Sequence, residues 1–230
     1  MDSIFADQLV TTIGVDEAGR GPLLGRVYAG AVVLERNSDP DPKLVRDSKK
    51  FHTSGALEKA AAYVRSTCVS AATGFSSEQE VDDINIRKAT HRAMHRAIDK
   101  VVQQCGLDSS NTLLLIDGND FTPYTKFVDG NIRVFDHHCI IKGDASEPAI
   151  AAASILAKVD RDTYIKELCA ADPTLDSKYS LSRNKGYGTA AHIAGIREHG
   201  ICAHHRRTFG ICKDHVPRMN TPRTPPPGQS

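Results

Sequence analysis

The run "NTLLLIDGN", from Asn111 to Asn119, constrains this chain more than any other feature, because Leu113, Leu114, Leu115 and Ile116 follow one another without a polar break. A short unbroken apolar run of this kind reads as a β-strand buried on both faces, and such a strand needs helices packed over its sheet. The run stops at Asp117.

Other segments read as partners for that strand. "LVTTIGV", residues 9–15, is short and β-branched and is expected to stop at Asp16 and Glu17. "RVYAGAVVLE", Arg26 to Glu35, reads as a second strand, joined to the first through a glycine- and proline-rich loop. "TCVSAATGFS" has strand composition, and "IRVFDHHCIIKGD" reads as another buried strand segment, ending at Asp144. Helices are expected at "SGALEKAAAYVRS", with a serine cap, and from Ser77 to about Gln104, with an interruption near Asn85. Two more are expected at the alanine-rich segment behind Pro148 and at "TAAHIAGIREHG", with Gly200 as its stop. The order suggests a mixed sheet with helices packed on it.

At 230 residues the chain can bury a good core in one main globular unit. No apolar run approaches the roughly 18 residues that would span a bilayer, so a membrane protein is not expected. The net charge of +1 does not announce a polyanion partner, although basic residues gather in "DSKK" and in "HHRR" with Lys213, Arg218 and Arg223. These clusters would suit a phosphate-lined surface if they met in space. Six cysteines without a CxxC pair, and an acidic start "MDSIFADQL" with no signal-peptide core, favour an intracellular protein, cytoplasmic by default. Cys202, His204, Cys212 and His215 could supply zinc ligands, but their spacing matches no common zinc module. Beyond Val216, "PRMNTPRTPPPGQS" is too proline-rich and polar to fold, so residues 216–230 are expected to be a disordered tail.

The acids carry the chemistry. Asp16, Glu17, Asp117 and Asp144 all fall at expected C-terminal strand ends, the edge of an α/β sheet where catalytic groups collect. Within a regular strand Asp16 and Glu17 point to opposite faces, so both serve one site only if the strand ends there, as Gly19 and Gly21 would allow. Two unit charges about 4 Å apart repel by roughly 4 kcal/mol at an effective dielectric near 20. Either some acids hold protons or divalent cations lie among them, and an all-oxygen donor set favours Mg2+ or Mn2+. One Asp in "DG" or "GD" is usually a turn residue; acids at several strand ends together point to a carboxylate metal site. "GRG", Gly19 to Gly21, offers exposed backbone N–H groups and the Arg20 guanidinium to a phosphate. In "DSKK", Asp47 or Ser48 is expected to cap the next helix while Lys49 and Lys50 contribute point charges; a capped helix with exposed lysines explains these residues equally well.

Taken in order, "GVDEAGRGPLLG", "DSKK", "NIRKATHRAMHRAI", "LLIDGN", "IIKGDASEPAIAAASILAKVDRD", "GYGTAAH" and "HHRRTFG" resemble ribonuclease HII from about Ile13 to Gly210. The resemblance implies a ribonuclease H-like α/β fold, a five-stranded mixed sheet flanked by helices. It implies a catalytic domain over residues 1–215 whose C-terminal portion, from about residue 170, is helical. The implied activity is endonucleolytic cutting of the RNA strand of RNA/DNA hybrids and nicking of duplex DNA at embedded ribonucleotides. Asp16, Glu17, Asp117 and Asp144 align with the family's acidic ligands for two metal ions, one to acidify a water and one to stabilise the departing 3′ oxygen. Gly19, Arg20 and Gly21 match the loop that senses the ribose 2′-hydroxyl, and Tyr187 matches the tyrosine that packs on the adjacent deoxyribose. Ser48, Lys49 and Lys50 complete the expected substrate contacts, and Lys142, Ser154, Lys158 and Arg161 also resemble family positions.

The departures are Arg26, where a small residue or proline is expected, Phe51 in place of leucine, and "NDFTPYTKFVDGN", which reads as an extra loop before Asp144. His137 and His138 read as strand or core residues. A monomer is expected, and contact of the tail with a replication clamp or another protein is left open. The rival readings are a hybrid-binding module without catalysis and a DNA-directed nuclease of the same fold.

Overall fold

The computed structural model describes residues 10–35 and 39–215. The expectations for the acidic N-terminal stretch and for the tail from residue 216, with Arg218 and Arg223, therefore lie outside the described residues.

The chain runs β1 (Thr11–Ala18), β2 (Val27–Val33), a one-turn 3-10 helix (Ser48–Lys50), α1 (Ser54–Thr67), β3 (Ser70–Ser76), α2 (Glu78–Cys105) and β4 (Thr112–Asp117). A hairpin follows, β5 (Thr125–Val128) and β6 (Asn131–Val134), then β7 (Asp136–Ile140), α3 (Gly143–Ser146) and α4 (Pro148–Ala171). The C-terminal part holds α5 (Pro173–Tyr179), α6 (Leu181–Asn184), α7 (Ala190–His199) and a 3-10 segment (Gly210–His215).

Five strands form one mixed sheet in the order β3-β2-β1-β4-β7. β1 pairs antiparallel with β2 and parallel with β4; β2 and β3 are antiparallel, β4 and β7 parallel. Helices α2 and α4 cover opposite faces. On one face Ile13, Val15, Leu114 and Ile116 bury against Met94, Ala97, Ile98 and Val101 of α2. Each large aliphatic side chain buried there stabilises by about 1.5–3 kcal/mol. On the other face, small residues set the distance: a Cβ on Gly14 would lie 2.2 Å from the Ala149 carbonyl carbon, and one on Gly30 would lie 2.3 Å from the Ala153 oxygen. The alanine-rich helix and these glycines are therefore one packing device, which seats the start of α4 directly on β1 and β2.

Local signals set most helix ends. Ser77 and Glu80 form a capping box at the start of α2. Asn85 (φ 68°) interrupts that helix and its side chain caps the second half through the Lys88 N–H at 3.1 Å. Thr53, not the serine, caps α1. Pro148 opens α4 in its first turn, and α7 stops at Gly200.

Four expectations need correction. β1 does not stop at the acids but runs through them to Ala18. "IRVFDHHCIIKGD" is not one buried strand: Ile132 and Val134 belong to an exposed hairpin, the chain turns at buried Phe135, and β7 is a partly exposed sheet edge ending before Asp144. The segment taken for a loop builds most of that hairpin. β4 buries only alternate residues deeply, because α4 lies over β1 and β2 and leaves Leu113 and Leu115 half covered.

Candidate active site

Asp16 and Glu17 reach one cleft because β1 has different ends on its two sides. Its parallel pairing with β4 finishes at Val15–Ile116, whereas its antiparallel pairing with β2 continues through Asp16–Gly30 and Glu17–Ala29. The strand has ended for one neighbour and not for the other. Beyond Val15 the β4 side is open, and Asp16, Glu17 and Asp117 line a cleft of about 280 Å³ together with Gly19, Arg20, Ser48, Lys49, Ser154, Lys158, Arg161 and Tyr187.

Burial and mutual repulsion dominate the acids. Asp16 is 5% exposed, and its carboxyl is pushed well above the usual range by burial, then by the charges of Glu17 and Asp117. The Glu17 N–H donates to Asp16 Oδ1 at 2.6 Å and offsets only part of this. Burial also raises Glu17, against the pull of Arg20, whose Nη1 lies 3.3 Å from Glu17 Oε1. Asp117 is raised by burial and then by Asp144, and its Oδ1 is buried with no hydrogen-bond partner.

Asp144 sits differently. It lies in the first turn of α3 rather than at a strand end, and it borders an adjoining recess with Lys50 and Glu147 rather than the cleft itself. Lys49 Nζ holds its Oδ2 at 3.3 Å. Among the described residues no three His, Cys, Asp or Glu side chains stand as a ready coordination shell. The carboxylates nonetheless fit hard cations: the donors are all oxygen, one buried oxygen is unpaired, and the raised acids gain from any positive charge placed among them.

The expected substrate contacts divide. Lys49 is exposed and faces the cleft, whereas Lys50 borders the Asp144 recess. Ser48 is buried and bonds Ser154 Oγ at 2.8 Å; Asp47 caps the turn by accepting from the Lys49 N–H at 2.9 Å. Tyr187 is 46% exposed and stands over Arg161, its ring centroid 5.3 Å from the guanidinium carbon. A Cβ on Gly21 would meet the Tyr187 ring at 3.7 Å, so the glycine loop and the tyrosine form one wall. At Gly19 a Cβ would lie 2.4 Å from Arg161 Nε, and φ is +92°; only glycine fits.

Sequence reading missed the residue that shapes this loop. Arg206, in "HHRR", is fully buried rather than part of a basic surface. Its guanidinium donates to the carbonyls of Gly19 (2.6 Å), Arg20 (2.9 Å), Pro22 (3.0 Å) and Gly25 (2.8 Å). The zinc candidates do not assemble either: Cys202 contacts His205, His204 faces Glu78 at 3.6 Å, and Cys212 is buried beside the Leu23 carbonyl.

A five-stranded mixed sheet of this order, with crowded carboxylates where its parallel strands finish, defines the class: a metal-dependent hydrolase on the ribonuclease H-like fold. The chain belongs to the ribonuclease HII family and is an endoribonuclease; the family model described as Ribonuclease HII matches residues 13–212. The Ribonuclease HII of Bordetella avium is 41% identical over 212 residues, covering 92% of this chain and 93% of the relative. Among solved structures, the ribonuclease H2 from Pyrococcus horikoshii OT3 aligns with a TM-score of 0.65 at 22% identity, covering 89% of this chain and 96% of the other. Bst-RNase HIII in complex with Mn2+ aligns at a TM-score of 0.56 and 17% identity, covering 83% and 70%. The two structures share the fold. Among the described residues no helix is long and apolar enough to cross a membrane.

Proposed function

We propose that the chain cuts the RNA strand of RNA/DNA hybrids and nicks duplex DNA on the 5′ side of an embedded ribonucleotide, leaving a 3′-hydroxyl and a 5′-phosphate. The observation that carries this reading is the partnerless Asp117 Oδ1 in a cleft of protonation-prone carboxylates, walled by the glycine loop and Tyr187. Asp16, Glu17, Asp117 and Asp144 would hold two divalent ions, Mg2+ or Mn2+. Bound there, such ions lower the pKa of water and neutralise charge on the departing 3′ oxygen.

The chain's own groups do the rest. Lys49 bonds Asp144 and lies on the rim of the cleft, where a phosphate can exchange for part of that ion pair. The Gly19–Gly21 backbone, held from behind by Arg206, presents N–H groups at fixed positions to a ribose 2′-hydroxyl, the atom that tells RNA from DNA. The half-exposed Tyr187 ring packs on the neighbouring deoxyribose.

The test is cleavage of three duplexes: one all DNA, one with a single ribonucleotide, and one RNA/DNA hybrid, each with Mg2+ or Mn2+ and with EDTA. Cutting of the last two, 5′ of ribose, and its loss in EDTA are expected. Cutting of all-DNA duplex favours the DNA-directed rival, and binding without cutting favours the hybrid-binding module.

A further inference from the structure

The backbone of Tyr187 is the end point of a buried polar chain outside the carboxylate cleft. His192 of α7 is 0% exposed, with Nδ1 2.9 Å from the Tyr187 carbonyl oxygen and Nε2 3.1 Å from Nε2 of His205. His205 is 1% exposed; its Nδ1 accepts the Cys202 backbone N–H at 3.0 Å and lies 3.1 Å from Cys202 Sγ. The two ends have fixed polarity, because a backbone N–H only donates and a carbonyl only accepts.

Everything between the ends follows. The Cys202 N–H makes His205 Nδ1 an acceptor, so a neutral His205 carries its proton on Nε2. That proton needs an acceptor, which leaves His192 Nε2 bare and puts the His192 proton on Nδ1, directed at the Tyr187 oxygen. Burial and the neighbouring His192 push His205 down to about 3, and burial lowers His192 as well, so both rings are neutral near pH 7. Each imidazole is held in one tautomer with both nitrogens satisfied.

What this chain grips needs gripping. Lys185 (φ 51°) and Gly186 (φ 84°) precede Tyr187 in left-handed backbone conformations, in the turn between α6 and α7. The Tyr187 N–H donates to Asn184 O at 2.9 Å, and the Tyr187 oxygen also accepts the Thr189 N–H at 2.8 Å. The turn is tied elsewhere as well, since the Gly186 carbonyl accepts the Leu23 and Leu24 N–H groups at 2.9 and 3.3 Å and Arg161 donates to the Lys185 carbonyl, whereas the Tyr187 carbonyl itself is held by His192, through His205, to the loop that carries Arg206.

We propose that His192 and His205 are a tautomer-locked pair of positioning residues that hold the Tyr187 peptide and so set the preference for an isolated ribonucleotide. This inference rests on the sugar-packing role given to Tyr187 above. A displacement of about 1 Å in a positioning group can cost up to roughly a hundredfold in rate. A lone ribonucleotide has a deoxyribose beside it for Tyr187 to select, whereas a long hybrid supplies many cutting sites, so the pair acts on the ratio of the two.

The experiment compares kcat/KM on a single-ribonucleotide duplex and on a long hybrid for the wild type, H192L, H192N and Y187A. H192L is expected to lose about tenfold or more on the single ribonucleotide and clearly less on the hybrid, and H192N, whose amide can donate from the Nδ1 position, is expected to recover most of the loss. Equal losses for H192L on both substrates, with Y187A still unequal, overturn the pair's role. Equal losses for Y187A remove the sugar-packing role instead, and the pair then stands or falls on nitrogen-15 NMR of the wild-type histidine rings, assigned with H192N. Nδ1–H at His192 and Nε2–H at His205 near neutral pH support the locked pair; Nε2–H at His192, or a charged ring at either, overturns it.

Discussion

Asp117 and Arg206 are both polar groups taken out of water within one structural neighbourhood, but they are treated oppositely. Arg206 donates to four loop carbonyls, and the nearby His192–His205 pair satisfies every ring nitrogen. Asp117 Oδ1 has no partner, Asp16 and Glu17 are raised by burial and by neighbouring acids that include Asp117, and Asp117 is raised by burial and by Asp144. Arg206 and the two histidines behind the glycine loop and Tyr187 have their hydrogen-bond partners before anything binds. The carboxylate cleft carries an unrelieved electrostatic penalty that a bound cation removes, so stability there is traded for affinity.

The largest expected effect lies on the unfinished side. Asp16→Asn should lower cleavage by about a thousandfold or more, since metal-assisted charge stabilisation is worth several kcal/mol. The metal-free fold should keep its melting temperature or gain, because the change removes a repelled charge. A rate within about tenfold of wild type would break the contrast.

On the finished side the loss should be one of stability. Arg206→Leu leaves four carbonyls without their donor and should cost about 3 kcal/mol or more, read from urea unfolding. Arg206→Lys should recover little, because an ammonium cannot match the planar fork. Burial lowers Arg206 to about 10, which leaves it charged at neutral pH, so pH between 6 and 8 should not change this cost. An unchanged midpoint in Arg206→Leu would erase the distinction between the two regions.

The smallest effect sharpens the comparison through pH. Asp16, Glu17 and Asp117 have folded-state pKa values above their unfolded ones, so their contribution is fully present below about pH 4 and is lost as pH rises through the raised values. In EDTA, wild type should therefore fall behind Asp16→Asn as pH climbs from 4 towards 8, by on the order of 1 kcal/mol. Mg2+ or Mn2+ should close the gap at the upper end. Melting curves with and without metal read this directly, and a gap that narrows with rising pH in EDTA would contradict the sign.

Much of the fold was legible because it is written locally. The apolar run before Asp117, the helix start near Ser77, the break at Asn85, Pro148 and Gly200 each act within one turn or strand. The failures share a cause. "IRVF" and "DHHCI" are continuous in sequence, yet β6 pairs with β5 and β7 with β4, and nothing in their composition names those partners. Arg206 looked like its neighbour Arg207, but one is fully buried and the other exposed. Asp144 was found as a residue and misplaced as an element, because a helical turn and a strand end both follow "KGD" plausibly.

The order of residues was enough to determine which acids, glycines and aromatic ring this protein carries, and the family they belong to, because those motifs are contiguous. Only the tertiary structure decided that β1 ends on one side and continues on the other, that Asp144 answers to Lys49, and that Arg206 grips a loop 181 residues away from it at Gly25. Burial and hydrogen-bond partners come from segments distant along the chain, and a charge or a proton takes its energy from that surrounding rather than from its neighbours in sequence.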